Sequence, residues 1–397
     1  MSRKLPVTID KLFFILSPFL ALPLVLRGIF HENKTSLVLF CMCIGFLSFG
    51  YIPSQGNDKA YYLYLYNLYQ NMPASEFFGE FLQSKTDVVF YTILYVTAKL
   101  NIPFEFFSLF ITFITSYLLL IVFYEQSLAS SNNKKQAFLF FSIAILAISL
   151  PALLSGMRNY LSVAFVFYGF HLLVTKEHVK KSVLFILLGV ITHFSSLLYV
   201  VVALMYRYFN HRLVKICFFM SLVFIFLPKS ILLNASSLVD LPDVYGTRAE
   251  GYLSSDSAAE INLAVGNFNN YLRVFINGLW FYVALAFCLL NIKNKEKLFI
   301  FFVCLMSVIN IISSSPDLLP RYGMLGSLAL LITLFYVKKI RYRKFFIYLI
   351  LIVNFLGFSV SIMGLREPLG TSVFKVEYLT LPTIFFIDAT TEAGDKH

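Results

Sequence analysis

Arginine and histidine side chains that could do chemistry lie inside long apolar stretches of this sequence. Arg158 is the single charge in "LPALLSGMRNYLSVAF" (150–165), and His193 is the only near-neutral titrating group of "SVLFILLGVITHFSSLLYVVVALM" (182–205). A guanidinium keeps its proton, and holding it at membrane depth costs about 2.5 kcal/mol or more. Arg158 is therefore predicted to face an anionic group. His193 is a candidate general base, with a hydrogen-bonded core residue as the alternative.

Three further arginines are candidates for binding an anionic ligand, because guanidinium forks match phosphate oxygens. Arg321 begins an apolar stretch, while Arg248 lies in a long polar segment and Arg273 follows that segment. The alternative for each is an anchor at the lipid headgroups. For Arg321, an ion pair with Asp317 one helical turn earlier is a second alternative.

Tyrosines are concentrated in "SQGNDKAYYLYLYNLYQNM" (54–72), where Tyr62, Tyr66 and Tyr69 recur at helical spacing. This pattern is typical of an aromatic belt at a membrane interface, or it forms a platform on which sugar rings stack. Tyr62 is the candidate ligand contact of this group. Asp58 could bind a sugar hydroxyl, and a helix N-cap is its alternative role.

The elements that must position these residues are membrane helices. The chain has 397 residues, 59% of them hydrophobic and 13% charged, with a mean hydropathy of +0.78. Its apolar runs are about 17 to 22 residues long, which as helix matches the hydrocarbon thickness of a bilayer. These features predict an all-α, polytopic integral membrane protein with about 11–12 transmembrane helices, and a single membrane domain over residues 1–397. The predicted helices lie near 12–30, 36–53, 87–100, 104–124, 137–154, 159–175, 182–205, 215–234, 271–290, 298–314, 321–337 and 345–363.

The net charge of +11 does not point to nucleic acid, because the basic residues cluster in short loops between apolar runs. The loop "KKIRYRK" (338–344) has five basic residues and no acid, and 291–297 and 206–215 are also net positive. All three are predicted to be cytoplasmic, which places a loop near 235–270 in the periplasm. The five cysteines lie inside apolar segments without metal-site spacing, so we expect no metal.

Two segments complicate this topology. The loop "TKEHVKK" (175–181) also looks cytoplasmic, so 182–205 must enter and leave the membrane on one side, as a broken or re-entrant segment would. The side on which 54–86 lies stays open, because it depends on whether 12–30 and 87–100 cross completely.

Taken in order, "GND..YY", "MRNYLSVAFVFYGFHLL" and "LLGVITHFSSLLYV" resemble the EpsG-like and Wzy-type polysaccharide polymerases. In those proteins an arginine opens a helix, a histidine follows some 35 residues later, and an arginine–tyrosine pair comes later still. Arg321 and Tyr322 match that pair. The resemblance spans roughly residues 45 to 340.

The resemblance implies a GT-C-like membrane glycosyltransferase of the bacterial inner membrane, with its active site facing the periplasm. Such a polymerase transfers a growing glycan from undecaprenyl pyrophosphate to a lipid-linked repeat unit, making O-antigen, capsule or exopolysaccharide. Arg158 and Arg321 would then hold the donor pyrophosphate, and His193 would activate the acceptor hydroxyl. The implied substrate-binding residues are Asp58, Tyr62, Arg248, Arg273 and Tyr322.

The expected partners are the undecaprenyl-pyrophosphate-linked oligosaccharide and membrane lipids, and a chain-length regulator protein is a candidate partner. No cofactor is expected, and arginines would replace a metal ion at the leaving pyrophosphate. Two other functions fit the same residues. A ligase joining glycan to another lipid carrier would use the same donor chemistry, whereas a transporter or flippase for lipid-linked sugars would tolerate loss of His193.

Overall fold

A computed structural model describes residues 7–52, 57–130, 134–227, 268–315 and 318–368, with residues 231 and 246 in isolation. Every regular element in these ranges is helical, which confirms the predicted all-α class. The first helices are α1 Val7–Leu16, α2 Leu22–Phe30, α3 Lys34–Gly50, α4 Asp58–Asn71, α5 Ala74–Glu76, α6 Val88–Lys99, α7 Phe104–Ser130, α8 Lys134–Ala147 and α9 Leu150–Ser155. They are followed by α10 Met157–Val174, α11 Val179–Thr192, α12 Leu197–Tyr208, α13 His211–Ser221, α14 Phe268–Asn291, α15 Lys297–Ile312, α16 Leu318–Tyr336 and α17 Arg343–Pro368.

Three of the described helices are, by length and composition, apolar enough to cross a membrane alone: Phe104–Leu128, Leu318–Tyr336 and Arg343–Met363. Other apolar helices are shorter, and several predicted segments are divided. The segment 12–30 is split between α1 and α2, and 137–154 is split between α8 and α9, where Pro151 stands in the first turn of α9. Proline suits a first helical turn because that turn has no partner for its N–H groups.

The basic loops meet at one end of the helix bundle, here called the basic end (residues 175–178, 209–212, 291–297 and 337–342). Asn294 Nδ2 donates a hydrogen bond to the carbonyl of Lys339 (2.8 Å), and His211 Nε2 lies 3.1 Å from the carbonyl of Asn294. Lys297 donates to the Glu177 carboxylate, and that ammonium lowers the pKa of Glu177 below its ordinary value. Loops predicted to share one side of the membrane are therefore in mutual contact.

The segment 182–205 is broken at His193, whose backbone is extended (φ −154°, ψ 117°) between α11 and α12. Helix α11 leaves the basic end after residue 178, and α12 returns to it before residue 209. Together they form a hairpin whose tip is His193 and the short 3₁₀ turn Phe194–Ser196. The sequence-based prediction that this segment enters and leaves on one side agrees with this arrangement.

Helices α4 to α6 lie at the opposite end of the bundle, here called the far end. Helix α3 starts beside the basic end, where Tyr124 Oη donates to the Glu32 carbonyl, and finishes at Gly50. Lys59, in the first turn of α4, caps the end of α3 by donating to the carbonyls of Ser48 (2.5 Å) and Tyr51 (2.7 Å). Helix α6 has 12 residues and leads directly into α7 at the same end, so 87–100 does not cross. The segment 57–86 thus lies at the end away from the basic loops.

Buried side chains form one large core through α3, α7, α8, α10, α15 and α16, and a second, aromatic core beneath the far-end layer. The second core joins α4, α6 and the start of α7 through ring contacts such as Tyr62–Phe90, whose centroids are 4.8 Å apart. It also includes Met157 and Leu161 of α10. The aromatic core therefore fixes the beginning of α6 against the beginning of α10, where the candidate site lies.

Candidate active site

The Asp87 carboxylate is the centre of a buried polar cluster at the far end. Its Oδ2 accepts a 2.7 Å hydrogen bond from Arg158 Nη1, which forms a salt bridge. Its Oδ1 lies 3.3 Å from His193 Nδ1 and accepts a 2.9 Å bond from the backbone N–H of Phe194. The Asp87 side chain is fully buried, and that of Arg158 is only 13% exposed. The anionic group predicted to face Arg158 is thus supplied by the protein itself.

The three polar residues of this cluster, Asp87, Arg158 and His193, each lie at the end of a helix. Asp87 precedes α6, but its side chain makes no hydrogen bond to that helix and turns instead toward α10 and the His193 tip. Arg158 lies in the first turn of α10, where its Nη1 also donates to Tyr91 Oη (2.8 Å). Because α10 has 18 residues, the cluster lies about 27 Å from the basic end of that helix.

The His193 ring has one engaged and one unengaged nitrogen. A carboxylate only accepts hydrogen bonds, so Nδ1 carries the proton that faces Asp87. In the neutral ring Nε2 is then a bare acceptor, and it has no hydrogen-bond partner among the described residues although it is buried. A histidine oriented by a carboxylate through Nδ1, with Nε2 left unengaged, is the arrangement of a general base.

His171 provides a contrast near the basic end. Its Nδ1 lies 3.2 Å from Gln126 Nε2, and its Nε2 lies 3.2 Å from Glu125 Oε2. Glu125 in turn pairs with Lys176 at 3.1 Å. Both ring nitrogens of His171 are therefore engaged, which supports the structural role predicted from its sequence context.

Close packing of α10 against α11 sets the position of the His193 tip. Gly189 lies against α10, and a Cβ added there would come within 2.6 Å of Val166 Cγ2. Ser162 Oγ donates to the carbonyl of Gly189 (2.7 Å) and shares a 2.5 Å hydrogen bond with Ser196 Oγ. A small residue and two hydroxyls thus fasten the tip to the helix that carries Arg158.

Arg321 and Tyr322, in the first turns of α16, come next to the same tip. Tyr322 Oη donates to the carbonyl of Ser195, and its ring packs against Tyr199 with centroids 5.1 Å apart. Arg158 and Arg321 both lie within electrostatic range of His193. Arg321 lines a cavity together with Asn159, the neighbour of Arg158. The structure therefore brings His193, Arg158, Arg321 and Tyr322 to one region of the far end.

Two further predicted site residues, Tyr62 and Asp58, lie on α4, and Tyr62 is within electrostatic range of Arg158 and Asp87. Tyr62 is 2% exposed and packs in the aromatic core, so its ring has no free face on which a sugar could stack. Tyr61 and Tyr64 are the exposed tyrosines of α4, on the opposite face. Asp58 is exposed in the first turn of α4, and the N-cap role is taken by Asn57, whose side chain accepts from the N–H of Lys59 (3.0 Å).

The remaining predictions fall outside the described residues. Arg248 and most of the predicted loop 235–270 belong to that part of the chain, as does Asp317. Arg273 lies on α14, but its side chain is outside the description.

Sequence reasoning missed Asp87, Tyr91 and the Phe194 N–H. Asp87 stands immediately before an apolar helix in "SKTDVVFYTILYV", and that position is typical of a helix cap. A signal was available nonetheless, since a charged residue opens an apolar run here just as Arg158 does. One such acid and one such arginine at the same membrane depth would be expected to pair.

These features define a helical membrane protein with a buried aspartate–histidine–arginine cluster at the end of the bundle away from its basic loops. The sequence matches the EpsG family over residues 34–378, so the chain belongs to the EpsG family. No curated protein and no solved structure matches significantly. The resemblance to EpsG-like polymerases that the sequence motifs predicted is confirmed.

Membership of this family indicates a polymerase-like role in polysaccharide biosynthesis. It also implies a membrane setting and a lipid-linked polysaccharide substrate. Members of this family are generally glycosyltransferase-like polymerases.

Proposed function

We propose that this protein is a polysaccharide polymerase that transfers a growing glycan from undecaprenyl pyrophosphate to a lipid-linked repeat unit. The observation that carries this proposal is the Asp87–His193 pair, in which His193 Nε2 is left without a partner among the described residues. Two arginines within electrostatic range of that histidine supply positive charge for a leaving pyrophosphate. The product is O-antigen, capsule or exopolysaccharide, and the site faces the periplasm.

In the proposed reaction, His193 Nε2 accepts the proton of the acceptor hydroxyl as that oxygen attacks the anomeric carbon of the donor glycan. A new C–O glycosidic bond forms, and the bond between the anomeric carbon and the pyrophosphate oxygen breaks. The electron pair leaves with undecaprenyl pyrophosphate, whose developing charge is stabilised by nearby guanidiniums. Asp87 fixes the tautomer of His193 and stabilises the imidazolium that forms.

The two arginines take different parts in this scheme. Arg321 lines the cavity beside the His193 tip, so it contacts the pyrophosphate. Arg158 holds Asp87 and Tyr91 through Nη1, so it acts chiefly as a positioning residue and adds fixed positive charge. Guanidiniums suit both parts because they cannot lose their charge.

A flippase for lipid-linked sugars would need arginines but no oriented base. The pairing of His193 with a fully buried carboxylate therefore favours a chemical step over transport alone.

The test is polymerisation by purified protein in proteoliposomes supplied with the lipid-linked repeat unit. We expect a ladder of glycan lengths on a gel, and none with a His193→Asn variant. A product extended by a single transfer to another carrier would indicate a ligase instead. Movement of the intact lipid-linked unit across the bilayer without transfer would indicate a flippase.

A further inference from the structure

A partly open cavity of about 260 Å³ lies beside the candidate active site and is lined by α8, α9, α10, α14, α16 and α17. Arg321 and Asn159 line it at the far end. Asn159 follows Arg158, which contacts Asp87, and Arg321 precedes Tyr322, which bonds Ser195 of the His193 tip. Toward the middle of the bundle it reaches Ser327 and Asn354. Its volume is slightly below the range of about 300–1,000 Å³ typical of drug-sized ligands, which suits a ligand of one or two rings.

Trp280 of α14 forms one wall of this cavity. Its indole lies directly on α16, where Gly323 and Gly326 leave room for it, and a Cβ at either glycine would come within 2.7 Å of the ring. The close approach fixes the orientation of the indole. Trp280 is 6% exposed, and unlike Tyr62 it lines a cavity, where its apolar surface can pack against the C–H face of a sugar ring.

Asn354 of α17 supplies an unpartnered polar group to the same cavity. Its side chain is buried, with 7% of the residue exposed, and its Nδ2 has no hydrogen-bond partner among the described residues. Its Oδ1 lies 3.5 Å from Ser327 Oγ, at the limit of a hydrogen bond. An unpaired amide inside a membrane protein is costly, by about 1–3 kcal/mol on mutational scales. A hydrocarbon chain in the cavity would leave that cost in place, whereas a ligand with hydroxyl groups would remove it.

We propose that this cavity binds one sugar ring of the glycan, namely the ring whose anomeric carbon carries the pyrophosphate. This proposal rests on the polymerase function proposed above. Asn354 Nδ2 donates to a hydroxyl of that ring, and the ring packs against Trp280. Arg321, which also lines the cavity, then lies next to the pyrophosphate attached to that ring. This placement brings the anomeric carbon toward the His193 tip.

The chain offers a direct reporter, because Trp280 is its only tryptophan. The experiment titrates detergent-purified full-length protein with the oligosaccharide repeat unit, released by mild acid from the lipid-linked pool of producing cells. We expect a saturable change in tryptophan fluorescence. An Asn354→Leu variant should weaken the apparent affinity at least tenfold.

Two further variants separate binding from folding. Asn310→Leu is the matched control, because Asn310 is also a buried asparagine of a membrane helix but bonds Ser221 (2.9 Å) and does not line the cavity. It should bind the oligosaccharide like the parent protein. Gly357→Leu fills the cavity instead, since a Cβ added at Gly357 meets nothing within 4 Å. It should fold normally and lose the fluorescence response.

Several outcomes would overturn the sugar site. They are a response to farnesyl phosphate but not to the oligosaccharide, no response to either, and unchanged affinity in both the Asn354→Leu and Gly357→Leu variants. The proposed polymerase function is tested separately, by measuring glycan transfer in proteoliposomes. Saturable binding without glycan transfer would count against the polymerase and support the sugar site, whereas transfer without any Trp280 response would overturn the sugar site alone.

Discussion

Asp87 and Arg158 lie 71 positions apart in the sequence and are joined by a 2.7 Å bond between Oδ2 and Nη1. This buried ion pair ties the start of α6 to the start of α10 and presents the second carboxylate oxygen to His193. A membrane interior makes such a pair hard to dissect, because removing either charge leaves the other without its counter-charge. Its effects on folding and on chemistry can be separated by changing both residues.

An Asp87→Asn variant keeps the size of the side chain and removes the charge. We expect a loss of stability of about 3–5 kcal/mol, since one member of a buried pair remains charged. Glycan transfer should fall by about 10²- to 10⁴-fold, because the amide no longer fixes the tautomer of His193. Thermal denaturation in detergent and proteoliposome polymerisation measure the two effects.

The double variant Asp87→Asn/Arg158→Met is the control for this substitution. It removes both charges, so it should recover much of the lost stability without recovering transfer. Full transfer by Asp87→Asn would show that the carboxylate has a structural role only.

His193→Asn tests the general base more sharply than alanine would. The asparagine amide can still donate to Asp87 from about the position of Nδ1, but it offers no titrating nitrogen at the position of Nε2. We expect transfer to fall by about 10²- to 10⁴-fold, while binding of the donor lipid persists. Rates of single-turnover transfer and a lipid-binding assay provide the two readings.

The matched substitution His171→Asn, near the basic end, should leave the rate of transfer close to that of the parent protein. Long glycan chains made by either His193→Asn or His193→Gln would show that His193 orients the acceptor hydroxyl without accepting its proton.

The sequence was sufficient for the helical class, for the grouping of the basic loops and for the break at His193. These features follow from local composition, such as runs of apolar residues and the polar interruption "THFSS". Asp87 and Asn354 were missed for a different reason. Each is one polar residue in an ordinary local setting, and its importance arises from a partner, or from the lack of one, that only the packing of distant helices determines.

The prediction that Arg158 faces an anionic group was also limited by the lack of information on distant helices. A charge in an apolar run does indicate an anionic neighbour, but it does not distinguish a ligand phosphate from a carboxylate of the protein. The anionic neighbour of Arg158 in the structure is the carboxylate of Asp87. Tyr62 fits the same explanation, because helical spacing of tyrosines is equally compatible with an exposed platform and with an aromatic core.

Membrane sidedness can be tested with single cysteines at opposite ends of the bundle. Asn71 is exposed at the end of α4, and Lys339 is exposed in the basic end. An impermeant maleimide added to the periplasmic side should label an Asn71→Cys variant and should label Lys339→Cys only after permeabilisation.

Background labelling should be low, because Cys41, Cys43, Cys288 and Cys304 are buried and Cys217 is half-buried. The unsubstituted protein measures that background. Labelling of Lys339→Cys in intact spheroplasts, with protection of Asn71→Cys, would reverse the assigned orientation.

Gly189→Ala should damage the site without touching any group in it. The added methyl would meet Val166 Cγ2 at 2.6 Å and the Ser162 carbonyl at 3.0 Å, so α11 must move away from α10. Such overpacking costs about 1–3 kcal/mol, and the shift should carry the His193 tip away from Asp87. We expect a lower midpoint of thermal denaturation and a reduced rate of transfer.

Gly278→Ala is the control for this change, because an added Cβ there meets nothing within 4 Å. Replacing a helical glycine by alanine at an open position should leave stability unchanged or raise it by up to about 1 kcal/mol. Equal damage by both substitutions would point to helix flexibility as the cause and would refute a packing role for Gly189.

Tyr322→Phe tests whether the tip must be fastened to α16. The substitution removes only the hydroxyl that donates to the Ser195 carbonyl, so stability should fall by about 0.5–1.5 kcal/mol. We expect kcat to fall by up to about tenfold, which corresponds to about 1.4 kcal/mol, with little change in KM for the lipid donor because Arg321 is retained. Arg321→Gln should raise that KM instead, so kinetics over a range of donor concentrations separates the two residues.

Tyr199→Phe is the matched control, since the Tyr199 hydroxyl is buried and has no hydrogen-bond partner among the described residues, although its ring packs against Tyr322. If Tyr322→Phe and Tyr199→Phe both leave kcat unchanged, the bond to Ser195 does not position His193, and the contacts of the tip with α10 and Asp87 are sufficient to hold it.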